Sequence, residues 1–100
     1  MILTLMDNGR SVTIGIGDVV SLRLSENPTT GYRWHLESLL GFKQIKDDNE
    51  TEGGIGAGGS RVLELQATQA GSYPVRLKKW QEWEGESSVI ERFNVTVIVK

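Results

Sequence analysis

The chain has 100 residues, 38% of them hydrophobic, with 13 acidic against 11 basic side chains and a formal net charge of −2. That length suits one domain spanning 1–100, whose modest core buries roughly two-thirds of the unfolded surface. The charge balance excludes a nucleic-acid binder that works by neutralising phosphates, and the absence of cysteine excludes disulfides and thiolate chemistry.

No apolar run approaches the ~20 residues of a membrane span, so no membrane partner is expected. The segment from Met1 to Met6 lacks the basic n-region of a signal peptide, so no targeting signal is expected and the compartment stays open. A monomer is expected.

Alternation with period two runs through the chain. A short strand is expected at Ile2 to Leu5. Val12, Ile14 and Ile16 share a parity in a strand over 11–16, closed by Gly17-Asp18. Val20, Leu22 and Leu24 share the next, over 18–24. After the loop Asn27 to Gly31, Tyr32, Trp34 and Leu36 face inward against Arg33, His35 and Glu37, over 32–38. Phe42 begins a weak strand over 42–47. Leu63, Leu65 and Ala67 alternate over 61–67; this stretch could also read as a helix, but its neighbours argue for a strand. Tyr73, Val75 and Leu77 alternate over 72–79. Phe93, Val95, Val97 and Val99 close the series over 89–99. Many short strands separated by turn residues predict an all-β fold, a sandwich of about seven to eight antiparallel strands.

Two aromatic residues favour the immunoglobulin-like type. Tyr73 follows the turn at Gly71-Ser72, where such sandwiches place a tyrosine whose hydroxyl bonds upstream backbone, although it could equally well only pack. Trp34 stands where they often bury a tryptophan.

If successive strands run up and down, the connections Asn27 to Gly31, Asn49 to Ser60 and Trp80 to Ser88 share one end. The other end receives the tight turns at Gly17-Asp18, Leu39 to Gly41 and Gln69 to Gly71. The long loops therefore collect on one end of a rigid scaffold, where binding usually resides.

The first loop, Asn27-Pro28-Thr29-Thr30-Gly31-Tyr32, is a stiffened turn. Pro28 fixes its own φ, Gly31 can take a positive one, and the short polar side chains can bond the loop's own backbone. It reads as a well-made turn or as a presented binding element. The second contains Gly53-Gly54-Ile55-Gly56-Ala57-Gly58-Gly59. Gly54, Gly56 and Gly59 satisfy G-x-G-x-x-G, yet an acidic run precedes them and a strand, not a helix, follows, so a dinucleotide site is rejected. A flexible spacer and a close backbone approach to a partner remain. The third carries Trp80 and Trp83 among charges, and two tryptophans there suit a protein-interface anchor or a sugar-stacking platform.

Catalytic groups are scarce. His35 is the single histidine, and its parity puts it on the polar face with no expected role. Asp47, Asp48, Glu50 and Glu52 lack the spacing and glycine of a calcium loop and read as a solvated acidic loop. The chain reads as a binding module, not an enzyme, with no cofactor and no metal.

The three loops, in this order, give the chain a resemblance to the chagasin family of cysteine-peptidase inhibitors. Members carry an N-P-T-T-G-Y loop, a later G-x-G-G loop, and a third loop with R-P-W or R-P-F. Asn27 to Tyr32 matches the first throughout, and Gly56-Ala57-Gly58-Gly59 matches the second. The third matches at Trp80, with Lys78-Lys79 in place of Arg-Pro.

The resemblance implies an immunoglobulin-like sandwich that inhibits papain-like cysteine peptidases, cathepsin L-type enzymes among them, reversibly and competitively. Asn27, Pro28, Thr29, Thr30, Gly31 and Tyr32 would face the catalytic cysteine and histidine, with Thr30 foremost. Gly56, Ala57, Gly58 and Gly59 would run along the non-primed side, and Lys78, Lys79 and Trp80 would supply the third contact, Trp80 over the primed side. Proline at position 79 would be expected to stiffen that loop. The alternatives are a carbohydrate-binding or adhesive sandwich using Trp80 and Trp83, and a non-inhibitory interaction domain of the same fold.

Overall fold

The alternation read along the chain becomes two four-stranded sheets in a computed structural model that describes residues 1–51 and 59–100. The first sheet has the order β1 (Ile2–Leu3), β3 (Val19–Glu26), β6 (Gly59–Ala67), β5 (Phe42–Thr51). The second has the order β2 (Ser11–Ile14), β8 (Glu91–Val99), β7 (Gly71–Trp80), β4 (Arg33–Leu36). Inward residues of both sheets meet in one core. Val20, Leu22 and Leu24 of β3 and Leu63, Leu65 and Ala67 of β6 pack with Trp34, Val75, Leu77, Phe93, Val95, Val97 and Val99. These are the residues whose parity pointed inward.

Within each sheet the odd-numbered strands run one way and the even-numbered the other. Pairs of unlike parity (β3/β6, β5/β6, β4/β7, β7/β8) are therefore antiparallel. Pairs of like parity, β1/β3 and β2/β8, are parallel, which refines the expectation of antiparallel strands throughout. The chain makes these two pairs possible by crossing between sheets after only three residues. Thr4 and Asp7 form a capping box there: Thr4 Oγ1 accepts the Met6 N–H at 3.3 Å and Asp7 Oδ2 accepts the Thr4 N–H at 2.8 Å.

Most strand ends shift by one or two residues from the sequence reading, the first strand keeping only Ile2–Leu3 of the expected Ile2 to Leu5, and two of the differences have an evident cause. The 11–16 strand stops at Ile14, and Ile16 is exposed. The Asp18 carboxylate accepts the Gly15 N–H at 2.8 Å, and this turn takes the chain out of the ladder. The weak 42–47 strand is instead ten residues long and absorbs most of the acidic run. β6 supplies the template, pairing from Phe42↔Ala67 to Thr51↔Gly59 around an irregularity between Gln44 and Lys46. Basic side chains answer the carboxylates: Arg61 binds Asp47, and Arg23 and Lys46 approach Glu50. Charges on an edge strand also discourage pairing with another chain.

Tyr73 both bonds and packs. Its hydroxyl donates to the Ala70 carbonyl at 2.8 Å, and its ring meets Phe42 edge-on at 5.8 Å. Gly41 makes room for it, since a Cβ there, at φ +85°, would lie 2.6 Å from the Tyr73 ring. Gly41→Ala combines left-handed backbone strain with overpacking and should cost about 1–3 kcal/mol or more. Tyr73→Phe loses one hydrogen bond, about 0.5–1.5 kcal/mol. Urea unfolding should rank Gly41→Ala as the more damaging; the reverse order would show that the hydroxyl, not the ring's seat, secures this corner.

Candidate functional site

Strict alternation of strand direction puts the β3–β4, β5–β6 and β7–β8 connections at one end. The strand ends show it directly: Glu26 and Thr51 both pair with Gly59, and Arg33 pairs with Trp80. Of the expected site residues, Gly56, Ala57 and Gly58 lie outside the described residues, while Gly59 opens β6.

The first loop is rigid for the reasons its residues suggest. Pro28–Thr30 is a single 3-10 turn capped by Asn27, whose side-chain oxygen accepts the Thr29 N–H at 3.1 Å and the Thr29 hydroxyl at 2.7 Å. The Thr30 hydroxyl donates to the Asn27 carbonyl at 2.9 Å and stands 3.3 Å from the Tyr32 N–H as its acceptor. Gly31 closes the turn in the left-handed region at φ 78°. Thr29 and Thr30 are exposed at the tip.

Beneath this loop lies a buried carboxylate that the sequence reading did not single out. Glu26 is only 1% exposed. Its Oε2 accepts the Trp34 N–H at 2.7 Å and faces the Arg61 guanidinium at 3.1 Å, and its Oε1 accepts from the Asn49 side chain at 2.8 Å. Arg61 also grips Asp47 through two bonds, at 2.5 and 2.9 Å. That pairing pushes the Arg61 pKa further up, against the opposing effect of burial and with help from the Glu26 charge. A signal was present in the sequence: Glu26 continues the inward parity of Val20, Leu22 and Leu24, and Arg61 begins that of Leu63, Leu65 and Ala67.

Lys78, Lys79 and Trp80 are not loop residues; they form the end of β7. Lys79 pairs with Trp34 on one side and Glu91 on the other, so the gain expected from a proline in a free loop does not apply at this position. Its ammonium donates to the Ser25 carbonyl at 3.1 Å, an oxygen that also accepts the Trp34 indole N–H at 2.8 Å. Lys78 donates to Glu86 at 2.8 Å and sits 3.8 Å above the Trp80 ring. His35 is not idle on the polar face: its ring lies 5.4 Å from that of Trp80. Trp80 is thus held by the two residues that pair across β4 and β7.

The third loop proper, 81–90, folds as two short 3-10 turns broken at Gly85, with φ 75°. The Ser88 hydroxyl oxygen accepts the Gln81 N–H at 2.9 Å, and the hydroxyl lies 2.6 Å from the Gly85 carbonyl. Glu86 clasps the base, bonding both Lys78 and Arg92, and those two cations hold its carboxyl below the usual range. The Gln81 side chain reaches the Thr30 carbonyl at 3.4 Å, joining the third loop to the first. A groove of about 460 Å³ runs between them, with Gly31, Arg33, His35, Trp80 and Trp83 on its walls.

Known proteins resemble this chain in sequence and in fold. The family model described as Chagasin family peptidase inhibitor I42 matches residues 13–97. The chain is 30% identical to chagasin of Trypanosoma cruzi over an alignment 104 positions long, covering 93% of this chain and 92% of that one. It is 31% identical to amoebiasin-1 of Entamoeba histolytica over 86 residues, covering 83% and 84%. In fold it resembles the crystal structure of a cysteine protease inhibitor from Entamoeba histolytica, with a TM-score of 0.91, 23% identity and coverage of 99% and 94%.

The buried carboxylate and the clasp make separate predictions. Glu26→Ala leaves the Trp34 N–H without its acceptor and Arg61 without its second carboxylate, and should cost about 3–5 kcal/mol in urea unfolding. Glu26→Gln, which keeps an acceptor, should cost less; equal losses would mean that the charge, not the hydrogen bonds, matters.

For Glu86 the folded pKa is depressed, so its contribution is present above its ordinary value of 4.5 and is lost as pH falls through the folded value. The difference in melting temperature between wild type and Glu86→Gln should be level above that pH and close below it. A difference that persists to pH 2 would rule out the ionised clasp.

Proposed function

The chain belongs to the chagasin family of peptidase inhibitors, and from that premise we infer that its loop end is a wedge that enters the active-site cleft of papain-like cysteine peptidases. The family consists of protease inhibitors, not enzymes. Cathepsin L-type peptidases are among the candidate targets.

The observation that carries this reading is the fastening of the first loop to the third, before any partner is present, through the Gln81–Thr30 bond, above a base where the Lys79–Ser25 bond ties β7 to β3. Loops already held in shape lose little conformational freedom on docking, so more of the contact energy survives as affinity. Inhibition is reversible and competitive because the wedge fills the cleft without reacting; the chain has no cysteine to exchange with the catalytic thiol.

In this reading Thr30, at the exposed tip, faces the catalytic centre. Asn27 and the turn through Pro28, Thr29 and Gly31 hold it there, and Tyr32 follows. Gly56, Ala57, Gly58 and Gly59 form the second contact, and Trp80 the third. Lys78 and Lys79 act from behind the surface, because both ammonium groups are turned onto partners within the chain. A sugar-stacking role for Trp80 is disfavoured by the same contact, since an ammonium already covers a face of its ring.

Titration of papain and a cathepsin L-type enzyme tests the reading. Inhibition should be stoichiometric and competitive, with serine and aspartic peptidases untouched. Unchanged papain activity in a large molar excess of folded protein would overturn it. Thr30→Ala should weaken inhibition by about 1–2 kcal/mol, or roughly five- to thirtyfold, through lost contact and through release of the Asn27 carbonyl bond. An unaltered inhibition constant would place the first loop away from the cleft.

A further inference from the structure

Trp83 has no part in the motifs that relate this chain to its family, and the core does not need it. The residue is 69% exposed, whereas every other tryptophan, tyrosine and phenylalanine is buried or half-buried. It is not loosely displayed. The edge of its six-membered ring lies against Gly31: a Cβ built on Gly31 would fall 2.6 Å from Trp83 Cη2 and 3.3 Å from Cζ2. Gly31 therefore serves twice, adopting the positive φ that closes the first loop and leaving the space in which the indole rests.

The segment carrying Trp83 is equally constrained. Gln81 ties it to Thr30, Ser88 closes it, and the Glu84 N–H donates to the Gln81 carbonyl at 3.0 Å. A large apolar ring held rigidly in solvent, touching the loop that carries Thr30, is placed as binding anchors are: pre-organised, and with most of its area still to be buried. The other side chains of the third contact are already engaged. Lys78 and Lys79 bond within the chain, and Trp80 is covered by Lys78 and His35.

We propose that Trp83 is a further peptidase-binding residue, a second aromatic anchor seated by its ring edge on Gly31 of the first loop and buried, on docking, against the rim of the cleft. This rests on the inhibitor reading and extends it. The wedge would present two indoles on the third-loop side, separated by the groove lined by Gly31, Arg33 and His35. The chain would discriminate among papain-like enzymes by whether their rim offers an apolar surface there. A rim bearing charged side chains would have to desolvate them against the ring.

Inhibition constants against papain should be measured for wild type, Trp83→Ala and Trp80→Ala. Urea midpoints of each variant establish that the fold is kept. Trp83→Ala should raise the constant at least tenfold at an unchanged midpoint. Contact is separated from mere support of the first loop by incorporating 5-fluorotryptophan and reading the fluorine solvent-isotope shift of Trp83 between H₂O and D₂O. That shift should be present in the free protein and vanish when inactivated papain is added in excess.

A constant within twofold of wild type, or a solvent shift retained in the complex, would overturn the assignment while leaving the inhibitor reading intact. If wild type fails to inhibit papain and no fluorine resonance moves, the inhibitor reading falls, and the anchor with it.

Discussion

The loop end depends on one buried carboxylate. Glu26 sits where β3 leaves the sandwich for the first loop, and it holds groups from three other strands: the Trp34 N–H of β4, the Asn49 side chain of β5 and the Arg61 guanidinium of β6. β4 is an edge strand, so Glu26 supplies Trp34 with an acceptor that no neighbouring strand offers. An apolar residue here would fill the space but leave that donor and the guanidinium without partners. Asp47 completes the set by neutralising the second face of Arg61.

From this base the two described loops are made stiff by different means. The first uses local chemistry, a capped 3-10 turn in which short polar side chains bond backbone a few residues away. The third uses charge and cross-strand contact. Lys78 lies between Glu86 and the Trp80 ring, Lys79 reaches across to Ser25, and His35 packs against the indole from β4. Where the resemblance leads one to expect arginine and proline, this chain has two lysines that act within the chain, so rigidity that a proline would supply through φ is here supplied by ladder pairing on both sides of β7.

The local pattern already determined a good part of this protein. A period-two alternation with β-branched and aromatic residues admits few structures other than a strand, and the inward parity of Val20, Leu22, Leu24, Phe93, Val95 and Val97 was correct because a residue on a pleated strand can face only one of two ways. The capping of Asn27 and the left-handed Gly31 follow from side chains within five residues of one another. The hydroxyl of Tyr73 finds the Ala70 carbonyl for the same reason, the partner being three positions upstream.

Parity also brought the three loops to one end, but tertiary structure decided which distant side chains met there. β5 extends through the acidic run because β6 offers it a ladder and because Arg61 and Arg23, remote in sequence, neutralise its carboxylates. Glu26 becomes a buried hub, and not an exposed strand end, only when Trp34, Asn49 and Arg61 converge on it. His35 acquires a role because antiparallel pairing sets β4 beside β7, and Trp83 because the third loop folds back onto Gly31. A sequence states which faces are apolar and which turns are tight, since those depend on neighbours along the chain. Which charge meets which, and which ring covers which glycine, depends on distances that exist only once the two sheets have closed on each other.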